Sequence, residues 1–376
     1  MPTEPSLPTA RDARIDRFLK LMDDRGASDL HLAVGHPPLV RVHGDLEPIR
    51  YRTLSAADYE SLMREIAPAA VWDEYQRTGD ADFAYESRGI GRFRVNLFQQ
   101  HRGAGAVLRI IPTKLLTIEQ LGLPETVHRF TDIERGLVLV TGPTGSGKST
   151  TLSAIINEIN EKKKYHVITI EDPIEFVHAH KQCLVTQREV GTSASGFAPA
   201  LRAALREDPD LVLVGEMRDL ETMQMALTAA ESGLLVFGTM HTNSASKAID
   251  RMINVFPADE QDVVRNVVGD TLRGVLAQQL VPLKDGGRVA AVEILFGSPA
   301  LGTMVREGRT HQVANLIHMG KTAGMVTMDA SLLSLVRSGQ VEPAAAYEKA
   351  IDKPEFRRLL REECNAVVGA DDDPDA

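Results

Sequence analysis

The segment Gly142-Pro143-Thr144-Gly145-Ser146-Gly147-Lys148-Ser149-Thr150 combines the groups needed to hold a polyphosphate. Glycines let a backbone turn its N–H groups toward phosphate oxygens, and a helix that follows adds its positive end. Lys148 is expected to reach the outer phosphates and the Ser149 hydroxyl to ligate magnesium, with Pro143, Thr144, Gly145, Ser146, Gly147 and Thr150 completing the cradle. The apolar run Leu137 to Val140 precedes this segment and the helix-like stretch Thr151 to Asn160 follows it, the strand, loop and helix order that such a cradle requires. ATP and Mg2+ are the expected ligands.

Other predicted strand ends carry groups suited to phosphoryl chemistry. Val167 to Ile170 runs into Glu171-Asp172-Pro173-Ile174-Glu175. Carboxylates beside a polyphosphate repel it unless they hold magnesium or orient water. Glu175 is the expected polariser of the attacking water, with Glu171 and Asp172 acting on the metal's own waters. Leu211 to Val214 ends in Gly215-Glu216, and the intervening glycine suits Glu216 to magnesium contact through a water. Pairing of Glu216 with Arg218 at a helix start is the competing structural expectation. Leu235 to Gly238 leads to His241, for which a γ-phosphate hydrogen bond and an ordinary structural role are equally open. Arg94 and Arg109 lie on the segments Phe93 to Phe98 and Ala106 to Ile111, on either side of a reversal near Arg102. Both could then face one side of a hairpin and neutralise charge on the transferred phosphoryl group; idle surface arginines are the alternative.

These groups need a frame. A chain of 376 residues exceeds one ordinary core and suits two domains. Up to residue 111 the short alternating segments Pro38 to Val42, Asp82 to Glu86, Phe93 to Phe98 and Ala106 to Ile111 are interleaved with two helical patterns, Ala10 to Asp23 and Ser55 to Ile66. That pattern predicts a small α+β domain over 11–111, followed by a linker at 112–124. Over 125–364, apolar runs at 137–140, 167–170, 211–214 and 235–238 alternate with helical patterns at 148–160, 197–206 and 219–231. Such alternation predicts an α/β domain with a parallel sheet covered by helices, whose ligands bind at the carboxyl ends of the strands. Residues 261–362 are expected to be mostly helical. The Pro-rich residues 1–10 and the acidic 365–376, with Asp371, Asp372, Asp373 and Asp375, read as disordered tails.

Composition narrows the partners. A formal net charge of −10 argues against nonspecific attraction to nucleic acid. Cys183 and Cys364 stand far apart, without the spacing of a disulfide framework or a zinc site. No leader is visible at MPTEPSLPTA and no apolar run spans a bilayer, so a cytoplasmic location without direct membrane insertion is expected.

Further segments accompany the cradle: Gly26-Ala27-Ser28-Asp29-Leu30-His31, Gly91-Arg92-Phe93-Arg94-Val95-Asn96, the acidic box at 171–175, and Leu205-Arg206-Glu207-Asp208-Pro209-Asp210 running to Glu216. With these, residues from about 10 to 360 resemble the type IV pilus retraction ATPases, the PilT/PilU branch of the secretion ATPase superfamily. The resemblance implies a PAS-like amino-terminal domain, a RecA-like P-loop ATPase domain, and a homo-hexameric ring with nucleotide held between the domains. It implies that Glu175 is the general base, Glu216 the strand-end acid, and Arg94 and Arg109 the phosphate-directed arginines. The implied partners are an inner-membrane platform protein of the PilC type and a second retraction ATPase. Relatives that drive pilus assembly usually carry a four-cysteine zinc element, which two cysteines cannot build, so retraction is favoured. Two departures bear on coupling. Leu234 stands where the family often has a second histidine, and Ala300 to Glu307 keeps the ends of the family's A-I-R-N-L-I-R-E motif without its central Arg-Asn. An accessory PilU-type role, including a subunit that binds ATP without hydrolysing it, is the alternative. A nucleic-acid translocase on the same sheet is the more distant rival, disfavoured by the acidic charge.

Overall fold

The computed structural model describes residues 13–42, 44–111, 115–366 and 368. The expected tail at 1–10, the start of the first helix at 10–12, residues 112–114 of the linker and nearly all of 365–376 lie outside the described residues. The chain divides into two compact units between residues 114 and 115.

The first unit runs α1 (Asp16–Asp24), β1 (Asp29–Ala33), β2 (Leu39–Val42), β3 (Asp45–Pro48), α2 (Ala56–Arg64), α3 (Ala69–Thr78), β4 (Asp80–Ser87), β5 (Gly91–Gln100) and β6 (Gly103–Ile111). Its six strands form one antiparallel sheet in the order β3-β2-β1-β6-β5-β4. Leu30, Leu32, Phe93, Val95, Leu97 and Leu108 supply the inner face of the core. Ser55 starts α2 through a capping box with Asp58, a device whose loss costs about 1 kcal/mol. Among the described residues of this unit three helices form, where two are expected. The additional one, α3, buries Trp72 and Tyr75 and stops at Gly79, whose φ of 85° allows the left-handed cap. Strands β1 and β3 were likewise unanticipated, being five and four residues long.

The second unit contains β7 (Gly136–Thr141), α4 (Lys148–Lys162), β8 (His166–Glu171), β9 (Leu184–Glu189), α5 (Phe197–Ala204), β10 (Leu211–Val214), α6 (Leu220–Glu231), β11 (Leu235–Met240) and α7 (Ala245–Asn254). It continues with α8 (Gln261–Thr271), β12 (Leu272–Pro282), β13 (Arg288–Phe296), α9 (Pro299–Arg306), α10 (Val313–Met319), α11 (Met328–Arg337), α12 (Pro343–Lys349) and α13 (Lys353–Cys364). The sheet order is β13-β12-β7-β11-β10-β8-β9, parallel throughout except for the antiparallel β12–β13 pair. Every residue of β7, β10 and β11 is buried, as a parallel sheet packed with helices requires.

Residues 261–362 are mostly helical, as expected, but they also contain β12 and β13, the longest strands of this sheet, which the helical reading passes over. They extend the parallel sheet beyond β7 and carry a separate apolar cluster, in which Val281 and Ala291 meet Met328, Leu332 and Phe356. Glu293 of β13 is only 5% exposed. Its carboxylate accepts from the backbone amides of Ala245 at 2.7 Å and Met328 at 3.5 Å, the first residues of α7 and α11. Burial pushes this carboxyl above the usual range, and the two amides oppose the shift.

Candidate nucleotide site

Strands β7, β11, β10 and β8 lie side by side and in parallel, so the residues following their carboxyl ends meet along one edge of the sheet. The loop after β7 reaches α4 through Gly147, whose φ of 85° lies in the left-handed region. Lys148 opens α4 and is buried to 9% exposure, its ammonium donating to the carbonyls of Gly142 at 2.9 Å and Pro143 at 3.1 Å. Burial lowers its pKa, while the charges of Glu216 and Glu175 pull it back upward. Ser149 is exposed in the first turn of α4, where its hydroxyl is available to a cation held by phosphate oxygens.

Beyond β8 the acidic box separates into different environments. Glu171, the last residue of β8, accepts from the Thr169 hydroxyl at 2.6 Å and from Gln187 Nε2 at 3.1 Å. Its enclosure raises the carboxyl pKa against those hydrogen bonds. Glu175 is exposed. Its loop is held from β9: Glu189 accepts from the Ile174 amide at 3.0 Å, and Gln187 spans the Phe176 carbonyl and the His178 amide, both at 2.8 Å. Ser149, Glu171, His178 and Thr239 line a cavity of about 40 Å³ behind the loop.

Glu216 follows β10 and His241 follows β11, and the two meet, with His241 Nε2 lying 2.6 Å from Glu216 Oε1. Arg218 pairs with the same carboxylate, so the structural pairing expected as an alternative is present together with the histidine contact. Burial pushes Glu216 up, but the Arg218 hydrogen bond and the charges of His241 and Arg218 hold its pKa below the ordinary value. Pro143, Thr144, Glu216, Arg218, His241 and Arg251 line an open cleft of about 700 Å³ at this edge. Arg251, which comes from α7, stands in no motif that points to this edge, and Arg218 is expected only as a structural partner of Glu216.

Within the first unit, Arg94 and Arg109 are direct partners across the β5–β6 pair and therefore share one face of that hairpin. Arg94 lies 3.6 Å from Asp82, and Arg109 bonds Asp29 at 2.6 Å. Asp29 is buried; burial raises its pKa, while Ser28 and Arg109 together hold it below the usual carboxylate range. Both guanidinium groups thus have acidic neighbours while remaining at least half exposed.

The residues present fit a nucleotide with magnesium. The hydroxyls of Thr141, Ser146 and Thr242 are enclosed without a hydrogen-bond partner, Gly145 is surrounded by open space, and the start of α4 directs its amides into the loop. Among the described residues no group of three or more His, Cys, Asp or Glu is placed to hold a metal ion. Magnesium would therefore be shared between Ser149, phosphate oxygens and water, its usual arrangement in such sites.

A phosphate loop after a buried parallel strand, with acids and a histidine on the neighbouring strand ends, defines a RecA-like P-loop ATPase, here preceded by a small α+β unit. Residues 15–360 match the model of the family described as "Type II/IV secretion system protein", and the chain belongs to that family of ATPases. It is 51% identical over 336 residues to the type IV pilus retraction ATPase PilT of Pseudomonas aeruginosa, covering 89% of this chain and 98% of that protein. It is 37% identical over 361 residues to the type IV pilus ATPase PilU of the same organism, covering 96% and 93%. A crystal structure of the pilus retraction motor PilT with bound ADP matches with a TM-score of 0.86 at 43% identity, covering 91% of this chain and 98% of that one.

Proposed function

We propose that this chain is the Mg2+-dependent ATPase motor of type IV pilus retraction, working as a homo-hexamer beside an inner-membrane platform protein and therefore at the cytoplasmic side of that membrane. The observation that carries the reading is the phosphate loop with Lys148, set on the same sheet edge as the exposed Glu175 and the paired Glu216 and His241. In this reading Gly142 to Thr150 and Lys148 hold the triphosphate. Ser149, with Glu216 through a water, would hold magnesium, which supplies charge neutralisation between phosphate oxygens. Glu175 takes the proton of the attacking water. Arg94 and Arg109 provide positive charge at the transferred phosphoryl group, and His241 reports its presence to Glu216 through their shared hydrogen bond.

ATP turnover and Mg-ATP binding in wild type, Lys148→Ala and Glu175→Gln test the chemistry. Lys148→Ala should lose binding, and Glu175→Gln should bind while losing at least about 100-fold in turnover, the range of a missing general base. Wild-type turnover by Glu175→Gln would remove the assigned base. The biological assignment is tested in a piliated bacterium lacking its own retraction ATPase, where this chain should restore twitching and Glu175→Gln should not. Leu234 and the altered segment 300–307 favour one further reading, an accessory PilU-type subunit. In that case the purified chain would show little turnover alone and form mixed rings with a principal motor.

A further inference from the structure

We propose that Gln278 is the positioning residue that holds the phosphate loop in its binding shape, acting from β12 through Ser146 and Thr151. The proposal rests on the nucleotide-binding reading above and deepens it. Strand β12 runs parallel to β7 with Ala277 level with Thr141, so Gln278 arrives where β7 gives way to the loop. The side chain is 2% exposed and does not line the cleft. Its Nε2 donates to the Ser146 carbonyl at 2.7 Å, and its Oε1 accepts from the Thr151 hydroxyl at 2.7 Å.

Ser146 and Thr151 bracket the segment that carries Lys148 and Ser149, so one amide ties together both ends of the phosphate-binding turn. The loop also has no room to move toward β12. A methyl group at Gly142 would overlap the Gln278 carbonyl oxygen, and one at Gly147 would stand 2.9 Å from Gln278 Nε2. Close approach to this strand therefore excludes a side chain at Gly142, and at Gly147 it adds to the left-handed φ of 85°. The chemistry is specific to an amide: one donor and one acceptor are used in a buried setting, where a carboxylate lacks the donor and an apolar side chain lacks both.

Mg-ADP binding by calorimetry, with a thermal melt on each protein to establish that it is folded, tests the assignment in wild type, Gln278→Met, Thr151→Val, Thr151→Ser and the double variant Gln278→Met/Thr151→Val. Gln278→Met and Thr151→Val should each weaken binding about tenfold, as expected for a loop that loses a buried hydrogen bond. The double variant should bind no worse than Gln278→Met alone, and Thr151→Ser, which keeps the hydroxyl, should bind like wild type. Folded Gln278→Met and Thr151→Val proteins with wild-type affinity, even if they melt earlier, would reduce Gln278 to a packing residue and overturn the proposal. Should Gln278→Met not fold, the Thr151 pair decides, and equal affinity of the Val and Ser variants overturns it. Absence of binding by wild type itself would remove the nucleotide reading, a result distinct from any difference among variants.

Discussion

His178 is a buried imidazole whose Nδ1 has no hydrogen-bond partner, set beside Glu171 and Ser149. Burial, assisted by the charge of Lys181, brings its pKa from 6.5 down to about 4. Between those values the unfolded chain takes up a proton that the folded chain refuses. The stability contributed by the neutral ring is complete above about pH 6.5, declines as the pH drops, and reaches its floor near pH 4, a loss of up to about 3 kcal/mol. Urea midpoints at pH 7 and pH 5 should therefore differ more for wild type than for His178→Phe, and equal differences would clear this ring of responsibility. Single residues differ in how far the sequence exposes their work. Lys148 and Ser149 stand in one contiguous motif and could be placed by inspection. Gln278 could not, because its two partners are 127 and 132 residues away and only the fold brings them together.

Gly215 shows what an element boundary contributes to the site. Its amide donates to Ile170 O at 2.8 Å, and a methyl group there would stand 2.9 Å from that oxygen and 3.2 Å from Glu171 Cα. Both obstacles are backbone atoms, so Gly215→Ala must separate the end of β10 from the end of β8. We expect a cost of about 1–3 kcal/mol in denaturant unfolding, with a further fall in turnover because Glu216 and Glu175 lie on the two displaced ends. Of the elements themselves, β7, β8, β10 and β11 were readable because they are unbroken apolar runs between turn and helix signals. Strands β12 and β13 were not. Polar Gln278 and Gln279 and an interior Gly274 interrupt the first, while Arg288 to Phe296 mixes the helix formers Ala290, Ala291, Glu293 and Leu295 with the strand formers Val289, Val292, Ile294 and Phe296, so neither period stands out. What betrays them as strands is their place beside β7, which no local pattern records.

For the molecule as a whole, the charge of −10 sets an expectation about partners. Turnover should be the same with and without single-stranded DNA, because no net attraction to phosphate chains exists to concentrate the protein there. Several-fold stimulation by DNA would revive the translocase reading. In light scattering with Mg-ATP the particle should weigh six times the 41.1 kDa chain, and a monomer at working concentration would remove the ring. No described helix is long and apolar enough to cross a membrane. Within the second unit, Glu293 joins the starts of two helices. Two helices begin on one acceptor, and a rotation of either that drags its first amide away strands a carboxylate in an apolar interior. Helix α7, which opens four residues after His241, and helix α11 of the carboxyl-terminal layer thus rest on one shared buried acid, so a shift of either first amide would leave the other to hold it alone.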